Sequence, residues 1–320
     1  MSKAPVKPLR VATRGSQLAL AQTHAIIGML AAKHPGLRCE VVEITTHGDR
    51  FQDVPITQMG DQVERGIFNT ALEEAVLEGR ADLATCSFKD VESQLPEGLV
   101  AVSVGLREDP RDVLLSRHKV PLDELPRGAV LATSSPRRVS QLTRFRQDFR
   151  FQPLRGNVTT RSGKDVERFD GVILAAAGLR RLSLDGRITQ YIPEEVLLPA
   201  PAQAALGAEY AANRPDVAKL VASIQDPATD LCARLEKALL VRLSGGCFAP
   251  VGILAQVASG RLTVRARIVS LDGQRHAEAA AQGAPGAGRV LVNALADKLI
   301  ADGAADIIAE TRETLQGSGD

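Results

Sequence analysis

A cysteine in a glycine turn, Ser244-Gly245-Gly246-Cys247, is the residue best suited to covalent chemistry in this chain. Thiols become nucleophiles when exposed near positive charge, and buried ones are inert. Taken alone, a cysteine is more often buried. Cys39, at the start of an apolar strand pattern, and Cys232, inside a helical one, fit that bland reading. Asp90 follows Lys89 at the end of an expected strand. A carboxylate at the mouth of a cationic cleft stabilises a developing cation or moves a proton; the competing reading is a surface acid paired with Lys89. Arg14, Lys89, Arg137, Arg138, Arg155 and Arg161 all sit just beyond expected strand ends. Ligands of open α/β sheets bind there, and helix N-termini favour anions. The guanidinium fork gives a carboxylate two parallel hydrogen bonds. For any one of these residues a surface ion pair explains it equally well. Six at comparable turns point to an elongated ligand with several carboxylates or phosphates. Gly156, in Leu154-Arg155-Gly156-Asn157, lets backbone N–H groups approach an anion.

Those residues need strands and helices to hold them. Leu9–Thr13 reads as a short buried strand, and Ser16 caps a helix carrying Leu18, Leu20, Ile26, Ile27 and Leu30 until Pro35-Gly36 stops it. Strands over 39–45 and 82–86, with a helix over 69–78 between them, make a βαβα pattern and a largely parallel sheet. The pattern restarts after the charged, proline-broken run Arg107-Glu108-Asp109-Pro110-Arg111-Asp112, a crossover between domains. Strands follow at 130–133 and 171–176, and Ser134-Ser135-Pro136 opens a helix. The strand, polar turn, arginine and helix of Val11-Ala12-Thr13-Arg14-Gly15-Ser16 echo Leu131-Ala132-Thr133-Ser134-Ser135-Pro136-Arg137-Arg138. A second crossover lies near Leu198-Pro199-Ala200-Pro201. The last third reads differently. A helix over 229–243 leads into the cysteine turn, strands over 252–257 and 262–271 meet the hairpin signal Asp272-Gly273, and one long amphipathic helix bears Leu291, Leu295 and Leu299.

With 320 residues, the chain is long for one core, and 44% hydrophobic with 24% charged residues is an ordinary globular balance. A formal net charge of +1 argues against a general nucleic-acid or membrane binder, so any anion site comes from local clustering. The N-terminus lacks the apolar core of a signal peptide, and no apolar run spans a bilayer, which leads to an expected cytoplasmic location. Four dispersed cysteines and five scattered histidines suggest neither a disulfide framework nor a metal site.

The motifs occur in a telling order: Ala12-Thr13-Arg14-Gly15-Ser16-Gln17-Leu18-Ala19-Leu20, Ser87-Phe88-Lys89-Asp90-Val91, the 107–112 run, and Thr133-Ser134-Ser135-Pro136-Arg137-Arg138. Leu154-Arg155-Gly156-Asn157-Val158, Ala176-Ala177-Gly178-Leu179-Arg180-Arg181-Leu182, and Gly245-Gly246-Cys247 before Pro250-Val251-Gly252 complete it. Each is weak alone. As an ordered set, from about residue 9 almost to the C-terminus, they resemble the porphobilinogen deaminase family, also called hydroxymethylbilane synthases. The resemblance implies two α/β domains like the lobes of periplasmic binding proteins, joined by two crossovers, plus a small α+β C-terminal domain. Its expected boundaries are 1–105 with 205–224, 111–199, and 225–320. It further implies a monomer whose Cys247 carries a dipyrromethane cofactor through a thioether. Four porphobilinogen units are added in turn, each losing ammonia, and water releases a linear tetrapyrrole. Asp90 is the implied catalytic residue. Lys89, Ser135, Arg137, Arg138, Arg155, Gly156 and Arg161 are the implied cofactor ligands, and Arg14, Ser16, Arg181 and Gln203 the implied substrate ligands; no metal is implied.

The sequence departs from the family pattern in places. Cys86-Ser87-Phe88-Lys89-Asp90-Val91-Glu92 stands where His-Ser-Met-Lys-Asp-Val-Pro is usual. Arg65-Gly66-Ile67-Phe68-Asn69-Thr70-Ala71-Leu72 lacks both lysines of a loop that covers the family's cleft, and the segment before it is a few residues longer. Pro201-Ala202-Gln203-Ala204 replaces a glycine-rich hinge, and Lys237 an arginine. Two rival readings remain. A non-catalytic binder of a polycarboxylate would need neither Asp90 nor Cys247, and a phosphate-binding transferase lacks any G-x-x-x-x-G-K-[ST] loop.

Overall fold

The computed structural model describes residues 7–46, 69–92, 94–154, 156–244 and 249–317, and leaves the side chain of Lys164 undescribed. The described residues form two compact units, one within 7–46, 69–107 and 205–230, the other within 108–204 and 231–317.

The first unit is built on a five-stranded sheet. Strand β1 (Leu9–Thr13) lies parallel to both β2 (Cys39–Glu43) and β3 (Leu83–Ser87). Between β3 and β4 (Leu99–Val104) runs a late arrival, β10 (Leu206–Ala211), antiparallel to both. Helix α1 (Gln17–Lys33) starts where its sequence signal stands, with the Ser16 side chain accepting from the N–H of Ala19. Ile26 and Leu30 are wholly buried with Val11, Leu83 and Ala208 on one face, together with Val217 and Val221 of α7 (Pro215–Ala222). Helix α2 (Thr70–Leu77) covers the other face, with Leu72, Ala75 and Val76 against Ala12 and Ala84.

The second unit holds a sheet of the same design. Strand β6 (Val130–Ala132) is parallel to β7 (Arg150–Gln152) and β8 (Gly171–Ala175). Here β5 (Asp112–Ser116) separates β8 from β9 (Gln190–Tyr191) and is antiparallel to both. The orders β2-β1-β3-β10-β4 and β7-β6-β8-β5-β9 therefore match strand for strand. The sequence echo at 11–16 and 131–138 falls on equivalent strands, β1 and β6. Leu114, Leu131 and Ile173 are wholly buried on one face, each worth roughly 1.5–3 kcal/mol. Helix α3 (Pro136–Phe145), with proline in its first turn, α4 (Val158–Ser162), α5 (Lys164–Arg168) and α6 (Ala176–Arg181) follow the strands.

The same unit contains a three-stranded antiparallel sheet of β11 (Val251–Ala258), β12 (Arg261–Val269) and β13 (His276–Gly283). β12 alternates between buried and more open positions, the period-2 signature of a half-covered sheet. Its buried side chains meet Leu235 and Leu239 of α8 (Pro227–Arg242), Leu295 and Leu299 of α9 (Gly288–Ala301), and Ile307 and Ile308 of α10 (Ala304–Gly317). The single closing helix expected from the leucine spacing is two helices. Gly303, at φ +90°, ends the first, a backbone state that glycine adopts without a Cβ penalty. The fold is thus α/β, with a small α+β C-terminal part. No helix among the described residues is long and apolar enough to cross a membrane.

Candidate functional site

In the first unit the implied site residues gather beyond the carboxyl ends of β1 and β3. These strands are parallel neighbours, with Val11 beside Leu83, so Arg14 and Ser16 after β1 share a sheet edge with Lys89 and Asp90 after β3. A short 3-10 turn, Phe88–Asp90, buries Phe88 and leaves Asp90 exposed with Lys89 half-buried. Three contacts that the sequence did not single out hold this edge. Gln22 of α1 donates to Ser87 Oγ at 2.8 Å, and Thr23 meets Thr85 hydroxyl to hydroxyl at 2.6 Å. The side chain of Asn69, just ahead of α2, donates to the carbonyl of Asp90 at 3.1 Å. On the inner side of α2, Glu73 is 4% exposed and its Oε1 has no hydrogen-bond partner among the described residues. Burial, with the carboxylates of Glu92 and Glu74 nearby, pushes its pKa up to about 7.

In the second unit, Ser135 stands ahead of α3, and Arg137 and Arg138 form its first turn. They converge on one residue, Asp112 at the start of β5, which is wholly buried. Asp112 Oδ2 accepts from Arg137 Nη1 at 2.7 Å. Its Oδ1 accepts from Arg138 Nε at 3.0 Å and Nη2 at 2.7 Å, and from Gln203 Nε2 at 3.3 Å. Arg137 Nη1 also donates to the Leu198 carbonyl, and Arg138 Nη1 to that of Ile173. The two guanidinium groups outweigh the cost of burial and hold the Asp112 pKa down to about 2. Gln203 further donates to the Pro110 carbonyl at 2.7 Å. It sits between Ala202 (φ 59°) and Ala204 (φ 74°), two alanines in the left-handed region. A carboxylate secures this turn from behind: Glu236 of α8, wholly buried, accepts from the N–H groups of Ala202 and Ala255.

The remaining implied ligands flank that cluster. Arg181, the last residue of α6, donates to the Ala204 carbonyl at 2.5 Å, and burial lowers its pKa to about 10, so it stays charged at neutral pH. Gly156 takes φ +98°, the left-handed state its residue type permits. Asn157 then caps α4, which carries half-buried Arg161. Ser134 ties the loop to α3, bonding both the N–H and the carbonyl of Leu154 at 2.9 Å. Arg155, Cys247 with its two glycines, and the loop over 60–68 lie outside the described residues.

Two family models match the sequence. One, described as porphobilinogen deaminase, dipyromethane cofactor binding domain, matches residues 9–219; the other, its C-terminal domain, matches residues 230–301. The chain belongs to the porphobilinogen deaminase family. A porphobilinogen deaminase of Syntrophomonas wolfei subsp. wolfei is 40% identical over 309 residues, covering 96% of this chain and 100% of its own. One of Geobacter metallireducens is 42% identical over 305 residues, 95% of each chain. A solved periplasmic substrate-binding protein of an ABC transporter from Coxiella burnetii is similar at 17% identity, over 72% of this chain and 95% of that one, with a TM-score of 0.42. Membership of the porphobilinogen deaminase family makes the chain a transferase of tetrapyrrole synthesis.

Proposed function

We propose that this chain condenses four porphobilinogen molecules, one at a time, onto a dipyrromethane primer held by a thioether at Cys247, and releases a linear tetrapyrrole. The observation that carries the reading is the match of residues 9–219 to the family's cofactor-binding domain. The donor set fits such a group. Dipyrromethane bears carboxylates, and Arg137 keeps Nε and Nη2 without a hydrogen bond among the described residues. Arg181, half-buried, adds a second cation.

When bound, the primer supplies a nucleophilic pyrrole carbon. Each addition would break the substrate's C–N bond and the primer's terminal C–H bond, form one carbon–carbon bond and release one ammonia. Hydrolysis would then break the bond between primer and tetrapyrrole, with water's hydroxyl going to the product and its hydrogen back to the primer. Within this scheme the exposed Asp90 carboxylate stabilises positive charge on pyrrole nitrogen and moves protons, work for which a positioned carboxylate is suited. Lys89, Ser135, Arg137, Arg138, Arg155, Gly156 and Arg161 hold the primer's acetate and propionate groups. Arg14, Ser16, Arg181 and Gln203 hold those of the incoming unit. Charge accumulates as the product grows, which accounts for clustered cations in a chain of net charge +1. The reading includes three domains, a cytoplasmic location and a monomeric state, the last checked by light scattering on the eluting protein.

Intact-protein mass spectrometry tests it. The purified chain is expected to carry an adduct that maps to Cys247, disappears in Cys247→Ser, and gains mass with porphobilinogen. A folded chain with an unmodified thiol and no tetrapyrrole formed from porphobilinogen overturns the reading.

A further inference from the structure

We propose that Asp112 is a positioning residue: by holding one side of each of two adjacent guanidinium groups, it presents the Nε–Nη2 edge of Arg137 as a fixed fork for a ligand carboxylate. The inference rests on the carboxylate-binding role proposed above for Arg137 and Arg138, and it adds a residue that contacts no ligand.

The geometry is specific about which donors are committed. Arg138 gives Asp112 Oδ1 its Nε and Nη2, and Ile173 its Nη1. Arg137 gives only Nη1, shared between Asp112 Oδ2 at 2.7 Å and the Leu198 carbonyl at 2.8 Å. Its Nε and Nη2 lie on one edge of the planar group, the spacing that meets a carboxylate with two parallel bonds. With Nη1 pinned twice, the side chain has no freedom to turn that edge away. A fork ordered before binding loses less entropy on capture.

Charge leads to the same residue. Two neighbouring guanidinium groups, one 4% exposed, would repel each other. A single wholly buried carboxylate between them leaves the trio one net positive charge, enough for one ligand carboxylate. Burial, the largest cause, and Arg138 hold the Arg137 pKa below the ordinary guanidinium value, and the Asp112 carboxylate acts against them. Gln203 brings its amide to the same Asp112 oxygen, so the turn at 202–204 is linked to the fork through this carboxylate.

The test compares Asp112→Asn, which removes the charge, with Asp112→Glu, which keeps it but shifts it by one methylene. Should the first fail to fold, the second carries the test. Asp82→Asn is the control. Asp82 is a similarly shielded carboxylate bound by Arg10 and Arg214, with no implied ligand nearby. Readouts are the adduct fraction by intact mass, KM and kcat for porphobilinogen, the thermal midpoint, and calorimetric affinity for benzene tetracarboxylate. The Asp112 variants are expected to carry a lower adduct fraction, to raise KM at least tenfold with a smaller change in kcat per adduct-bearing chain, and to bind the tetracarboxylate at least tenfold more weakly. The control is expected to lower only the midpoint. A folded Asp112→Glu with wild-type adduct, KM and tetracarboxylate affinity overturns the inference. A wild-type chain that makes no tetrapyrrole and carries no adduct overturns the proposed function instead; the tetracarboxylate affinities then decide the fork on their own.

Discussion

The side-chain amide of Asn69 holds the backbone carbonyl of Asp90 at 3.1 Å, so the residue ahead of α2 fixes the residue proposed to do the chemistry. Asn69 is itself fixed. It is 2% exposed, and its carbonyl accepts from the N–H groups of Leu72 and Glu73. Because the bond is to backbone, the Asp90 carboxylate stays free to work. Asn69→Ala is expected to cost about 1 kcal/mol of stability and to lower kcat about three- to tenfold with little change in KM. Urea unfolding and steady-state kinetics check this; an unchanged kcat would show that the amide does not orient Asp90.

Asp90→Asn is expected to fold normally, since the exposed carboxylate supports no core packing. It should still acquire the Cys247 adduct but elongate it about a hundred- to ten-thousandfold more slowly. Mass spectra taken at intervals after adding porphobilinogen would show stalled intermediates. Near-normal turnover rejects the catalytic role.

Glu73 sets a pH dependence of stability. Its pKa rises from 4.5 to about 7 on folding, so the folded chain retains a proton that the unfolded chain releases. Stability from this group is full below pH 4.5 and is lost as pH rises through about 7, on the order of 2 kcal/mol in all. Asp82 and Asp112, both held to about 2, act in the opposite sense. Their contribution is present above about pH 4 and is lost as pH falls toward 2. Glu73→Gln should therefore match the wild type near pH 4 and exceed it at pH 8. Denaturant midpoints measured across that range decide it, and parallel curves for the two proteins would count against the raised carboxyl.

Ala202 and Ala204 make a prediction by contrast. A left-handed alanine costs about 1–2 kcal/mol. Glycine relieves that, but it forfeits roughly 0.8 kcal/mol of buried methyl and about 0.5–1 kcal/mol of chain entropy. The terms nearly cancel, so Ala202→Gly and Ala204→Gly should stay within about 0.5 kcal/mol of the wild type. Ala208→Gly, at a wholly buried strand position, gains no relief and should cost about 1.5 kcal/mol. Three equal losses in calorimetry would mean that the turn is unstrained.

Local signals were legible where one stretch of chain decides the outcome. Ser16 caps α1, Pro136 opens α3, and Gly156 takes the left-handed turn. What was not legible depends on partners distant in sequence. Gln22 and Thr23 interrupt the apolar face expected of α1 because β3 presents Ser87 and Thr85 opposite them. The Arg137–Arg138 pair was visible, but its anchor Asp112 lies 25 residues upstream, in a segment read only as a crossover. An acid opening an otherwise apolar strand, Asp112-Val113-Leu114-Leu115, was the available clue. The break at Gly303 was also signalled by Asp302-Gly303, and the regular leucine spacing masked it.

The matched strand orders also bear on how the chain matures during synthesis. In the second unit's first sheet, β5 precedes its neighbours, so the stretch from 112 to 191 contains every strand it needs. In the first unit, β3 and β4 are separated by β10, which emerges about a hundred residues after β4. Until then both strands expose unsatisfied edges, the kind that invite aggregation. The first unit's sheet is therefore begun first and completed only after the strands of the second unit's first sheet have all been made. A ribosome pausing before residue 206 would hold it in its most vulnerable form.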